Sequence, residues 1–200
     1  MVEQSLRKRE VGGSSPSTGT ITRLFGSFGA PTLAGKLLLV GLSFAAYVVL
    51  SLPYLENRLW PRLPGVWPGW FAGAAFGALV MGPYLARLER PLLRIAGACV
   101  AGALIYRLAI EFAADGPVGV GTPASFACAG AGAAALVALA TALLTPARFR
   151  WRVLPIALLA GALGGLTFPW LSFTEQAYEG HLAWQLLVCL ALHFGLRKIM

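Results

Sequence analysis

Charge is what this chain has least of. Only 12% of its 200 residues are Asp, Glu, Lys or Arg, while 58% are hydrophobic, and that charged share is about half of what soluble domains carry. Too little polar surface remains to coat a water-soluble globule. Acidic residues are the scarcer sign, eight against sixteen basic, and there are two His and three Cys. An odd cysteine count with no C-x-x-C pair argues against a disulfide framework or a zinc site. Cys99, Cys128 and Cys189 fall inside apolar stretches, where a free thiol packs as a small hydrophobe. No Walker A, Rossmann fingerprint, H-E-x-x-H or EF-hand loop occurs, so no motif assigns an enzyme, a cofactor or a metal.

What the chain does have is apolar length. Six stretches read as membrane spans: Leu37–Leu55, Trp67–Leu85, Leu92–Ala114, Pro123–Leu144, Val153–Phe173 and His181–Leu196. Backbone groups in hydrocarbon have no water to bond, so each span is expected to be helical. The fold class is therefore an all-α, polytopic integral membrane protein with six transmembrane helices. The last stretch is short, rising only about 24 Å, so it is expected to run past its flanking charges or to meet a thinned bilayer.

The basic residues then orient the spans. Arg7, Lys8, Arg9, Arg23 and Lys36 precede the first; Arg87, Arg90 and Arg94 follow the second; Arg148, Arg150 and Arg152 follow the fourth; Arg197 and Lys198 end the chain. The alternate gaps hold only Arg58 and Arg62, and there Asp115, Glu175 and Glu179 collect. Basic residues beside short spans stay cytoplasmic, so both termini are expected inside, in a bacterial-type inner (plasma) membrane. The same placement explains the net charge of +8 without nucleic acid, for which no continuous basic face exists.

Two regions follow. Residues 1–36 form a cytoplasmic lead whose Gly12–Thr20 run reads as disordered; Ile21, Leu24, Phe25 and Phe28 beside Arg23 suit an interfacial helix. No cleaved signal is expected, because the apolar core begins some thirty residues after the first charges. Residues 37–200 form the membrane domain. Within it, Gly73 and Gly77, Ala98 and Gly102, Gly130 and Ala134, and Gly161 and Gly165 are small pairs four apart. Each pair clears one helix face for a neighbouring backbone, which predicts a tight bundle without a wide pore. "ARLERPLLRIA" from Ala86 also resembles "ARFRWRVLPIA" from Ala147, which suggests two parallel hairpin copies.

The outer boundary is rich in aromatics. Trp60, Trp67, Trp70, Trp170 and Trp184 fall there, with Tyr54 and Tyr178, as suits amphipathic rings at headgroup depth. Trp60, Trp67 and Trp70 belong to a Pro-stiffened loop that serves as an anchor or a docking surface. Glu175, Glu179 and His181 share that side without the spacing of a metal motif.

The polar groups inside spans are few and costly, which makes Arg107, Glu111, Gln185 and His193 the candidate substrate-binding or structural residues. Arg107 and Glu111 share a face one turn apart, as a functional pair or as an interfacial ion pair. Six spans with Ser125 and His181 near outer ends invite comparison with rhomboid intramembrane proteases. The chain reads "TPASFA" where those enzymes carry G-x-S-G, and it lacks their glycines after the histidine, so serine catalysis is not expected. The leading expectation is a small transport or permease component for an unidentified solute. A non-catalytic scaffold or assembly subunit comes second, and an enzyme of lipid-like substrates third. The expected partners are the bilayer, other membrane subunits or further copies of the chain.

Overall fold

A computed structural model describes residues 32–50, 68–85, 90–115, 121–145, 151–171 and 178–196. Among these residues the protein is all-helical. Helix α1 is Leu33–Leu50, α2 runs through 68–85, α3 is Pro91–Asp115, α4 Pro123–Leu144, α5 Val153–Leu171 and α6 Tyr178–Leu196. Three of them, over Pro91–Ala114, Pro123–Leu144 and Val153–Trp170, are long and apolar enough to cross a membrane. At 1.5 Å per residue they rise about 36, 33 and 27 Å, against a hydrocarbon core of about 30 Å. Leu33–Val49 and Trp70–Leu85 are shorter apolar helices.

Local chemistry sets the ends. Thr32 caps α1: its Oγ1 accepts from the Gly35 amide at 3.2 Å, and its carbonyl takes the Lys36 amide. The helix therefore starts inside the stretch expected to be lead, and Lys36 is its fourth residue. At α4, Gly121 takes a left-handed φ of 64°, Thr122 caps the Ser125 amide, and Pro123 supplies the preset φ of a first helical residue. Inside α2, Gly77–Met81 is a π turn. Pro83, just beyond it, has no N–H for the Leu79 carbonyl, which explains the loosened ladder.

Consecutive helices pack against each other, and α1 returns to α6, so the six close a ring. All neighbours are antiparallel. Lys36 meets Tyr84 and His193 at one end, where Arg94 also bonds the last carbonyl of α4, at Leu144. Tyr47, Tyr106, Phe168 and His181 meet at the other. Among described residues, Lys36, Arg90, Arg94 and Arg152 gather at the first end, and Glu111 and Glu179 lie at the second with Arg107, the ion-pair partner of Glu111.

The small pairs are where the helices touch. A Cβ at Gly77 would collide with the Ala98 carbonyl, and one at Gly73 would come within 2.7 Å of Tyr106 Cβ. A Cβ at Gly161 would strike the Gly130 carbonyl and lie 2.5 Å from Ala134 Cβ, while Gly165 abuts Phe126. Both hairpins, α2–α3 and α4–α5, thus close by the same device. They are not copied residue by residue: the shift that carries Ala86 to Ala147 takes Gly73 to Ala134 but Gly102 to Leu163.

The ring's interior holds Val40, Phe76, Met81, Leu85, Val137 and Leu192. Its outside is apolar too, with Leu93, Leu143 and Leu159 at 66, 85 and 63% exposure. Water would not tolerate that surface, whereas acyl chains would cover it. The tryptophans divide. Trp170 is 75% exposed, but Trp184 is buried rather than interfacial; it lies against Phe76 and Gly164 and donates from Nε1 to the Gly130 carbonyl at 3.2 Å. A buried indole needs such an acceptor.

Candidate functional site

Helix α6 carries His181, Gln185, Cys189 and His193 at four-residue spacing, which puts all four on one face. All four are buried, and Gln185 has no exposed surface. On α1, Lys36, Ser43 and Tyr47 recur at seven and four, again one face, and all three are buried. These two faces meet along the α1–α6 joint.

At the basic end, Lys36 Nζ donates to Tyr84 Oη at 2.9 Å, lies 3.3 Å from His193 Nδ1, and stands 4.0 Å from the centre of the Tyr84 ring. Its side chain is 3% exposed. An ammonium taken out of water needs partners, and here a phenol, an imidazole nitrogen and an aromatic face supply them. No carboxylate lies beside it among the described residues. Cys189 lies one turn before His193 on the same face of α6 and is buried.

At the opposite end, His181 is boxed by three rings. Tyr106 stacks on it with Oη 2.8 Å from Nδ1, while Tyr47 and Phe168 stand edge-on with ring centres 4.6 and 4.7 Å away. A cavity of about 70 Å³ opens beside His181 and Trp184, bounded otherwise by apolar side chains of α3, α4 and α5 and by the Tyr106 ring.

Between the two groups lie Ser43 and Gln185. Lys36 against His193 and Tyr47 against His181 set an antiparallel register that brings Ser43 level with Gln185. Both side chains are fully buried, and Ser43 Oγ, Gln185 Oε1 and Gln185 Nε2 have no hydrogen-bond partner among the described residues. Each such group costs about 1–3 kcal/mol when left unmade. Buried polar atoms stacked in this way form a track through an otherwise apolar bundle.

Two of the four intramembrane candidates, Gln185 and His193, belong to this track. Arg107 and Glu111 do not. Arg107 donates from Nε to Glu111 Oε1 at 2.6 Å, and the pair lies on the outward face of α3 at 40 and 47% exposure, beside exposed Leu104 and Leu108. Of the outer-face candidates, His181 is buried in the track, while Trp70 and Glu179 are half-buried near the starts of α2 and α6. Trp60, Trp67 and Glu175 lie outside the described residues, as do residues 1–31. Ser125 donates to the Thr122 carbonyl at 2.8 Å and to Ala113 at 3.3 Å; it ties α4 to the end of α3, while His181 bonds Tyr106. Among described residues no three His, Cys, Asp or Glu side chains group as a metal site would require.

Lys36, Ser43, Tyr47, Tyr84 and Tyr106 belong to the track and carried no warning as single residues. The available signal was periodic: polar side chains at helical spacing in two spans that are otherwise apolar. No protein-family model matches the chain, and neither curated proteins nor solved structures contain a match to it.

Proposed function

We propose that this chain is a six-span inner-membrane protein with both termini in the cytoplasm, acting as a small transport component whose solute path follows the α1–α6 seam. The observation that carries the reading is the unpartnered Ser43–Gln185 level between two hydrogen-bonded polar groups. A seam with only a structural task gains stability from apolar side chains, since buried polar groups without partners are a net cost. Retained polar groups inside a bundle are the ordinary mark of a solute or ion path. Among described residues the α1–α6 joint also has the least contact of any in the ring. A joint of that kind opens at lower cost than the interlocked α4–α5 pair.

Inner-membrane placement and cytoplasmic termini rest on the alternation of basic residues and agree with their gathering at one end of the ring. A second reading has its own support: the apolar exterior and the outward Arg107–Glu111 pair suit a scaffold that docks membrane subunits or further copies of itself. Thiol accessibility separates the two. With Cys99, Cys128 and Cys189 replaced by Ala, Ser43→Cys in a transport component reacts with a small, membrane-impermeant thiol reagent. In a scaffold the same thiol stays protected until the protein is denatured.

A further inference from the structure

The side chains along the seam share one chemical property. Lys36, Tyr84, His193 and Cys189 at one end, Ser43 and Gln185 in the middle, and Tyr47, Tyr106 and His181 at the other all carry exchangeable or hydrogen-bonding protons. We propose that the species moving along the seam is the proton, relayed between the Lys36–Tyr84–His193 group and the His181–Tyr106 group by way of Ser43, Gln185 and Cys189. This assignment rests on the transport reading above and names its substrate.

Spacing permits the relay. Successive members of the α6 face are four residues, about 6 Å, apart along the axis. One water molecule hydrogen-bonded to both neighbours spans such a gap. A hydroxyl and a primary amide each donate and accept, so Ser43 and Gln185 orient water in either direction. Water bonded there also satisfies three atoms that otherwise have no partner. Each step transfers one proton: an acceptor nitrogen or oxygen gains an N–H or O–H bond as the neighbouring donor loses one, and no electron changes owner.

The surroundings favour a proton over larger ions. α1 presents Lys36 and Tyr47 to α6, α2 presents Tyr84 and α3 presents Tyr106; described α4 carries only the exposed Cys128, and described α5 has no titratable side chain. A metal cation would add its charge to that of the Lys36 ammonium with no facing carboxylate among the described residues, whereas the ammonium can pass on one of its own protons before taking another, so that this group never holds two charges. The cavity beside His181 is too apolar to strip the hydration shell from an ion.

The test uses the full chain in phosphatidylcholine vesicles loaded with potassium salt and the pH dye pyranine. Valinomycin sets an inside-negative potential, and proton entry is read as dye quenching. The unmodified protein is expected to acidify the interior faster than empty vesicles do. Gln185→Leu is expected to return the rate to that of empty vesicles while unfolding at the same temperature or higher, because it removes two orphan polar atoms without removing volume. His181→Phe should stop flux as well. Flux no faster than in empty vesicles overturns the proton assignment, and so does a Gln185→Leu protein that conducts normally. If Ser43→Cys reacts with the water-soluble thiol reagent but protons do not move, transport of another solute stands and only the proton falls. A protected thiol with no flux removes both.

Discussion

Single residues in this protein are best judged by what their removal leaves behind. Tyr106 supplies the His181 ring with its hydrogen-bond partner and one stacking face. Tyr106→Phe keeps the stack and deletes the bond, leaving a buried imidazole nitrogen unpaired. The expected cost is about 1–3 kcal/mol, read as a lower unfolding temperature in mild detergent. His181→Phe combined with Tyr106→Phe should recover part of that loss, since the unpaired imidazole nitrogen is then gone. Arg107 and Glu111 behave differently because they face outward among leucines. Arg107→Leu or Glu111→Leu strands one charge on an apolar surface, and the double substitution relieves it. The coupling from a double-mutant cycle is expected to exceed the roughly 0.5 kcal/mol of water-exposed helix pairs. Strict additivity would mean that both side chains reach water independently.

At the scale of the helix, contact is decided by which glycines face a neighbour. Gly77 and Gly161 each meet a backbone carbonyl of the adjacent helix, whereas a Cβ at Gly132 meets nothing within 4 Å. Gly77→Leu and Gly161→Leu should therefore sharply reduce folded yield. Gly132→Ala should be neutral or stabilising by up to about 1 kcal/mol, because Ala is the better helix former. Equal purification yields and unfolding temperatures for all three would place those faces against lipid. These contacts were legible in the sequence because four-residue spacing of small side chains is itself the packing rule. So were the starts of α4 and α5, whose Pro123 and Val153 follow abrupt changes of composition. Lys36 was not legible. A cation next to an apolar run reads as interfacial, and only the Thr32 cap draws it into the helix. The track was half legible: the spacing of His181, Gln185, Cys189 and His193 is visible in one helix, but its partners come from α1, α2 and α3. Local periodicity says which face a residue occupies; it does not say which helix that face meets. Trp184 shows the converse error, since its position near a span end suggested the interface while Gly164 on α5 made room for it inside.

For the whole molecule, the decisive quantity is which end of the ring faces which compartment. The antiparallel ring gathers Lys36, Arg90, Arg94 and Arg152 at one end, while Glu111 and Glu179 lie at the other, where Arg107 pairs with Glu111. A bundle inserted by the positive-inside rule keeps its basic end in the cytoplasm. Single cysteines replacing Arg62, Gly116 and Gln176, in a chain otherwise free of cysteine, should then react with an impermeant thiol reagent added to intact cells. Cysteines replacing Leu88 and Phe149 should react only after the membrane is opened. The five positions sample every connection between successive helices, so the pattern tests each crossing separately. Two neighbouring connections labelled from one side would remove the span between them, and a complete reversal would keep six spans with the basic end outside. The proton path depends on this result for its direction but not for its existence, because the seam runs from one end of the ring to the other. In the expected orientation, His181 and Tyr106 form the outer mouth and Lys36 with Tyr84 and His193 the inner one. An outward-acid pH gradient should then drive protons from the imidazole boxed by Tyr47, Tyr106 and Phe168 toward the buried lysine.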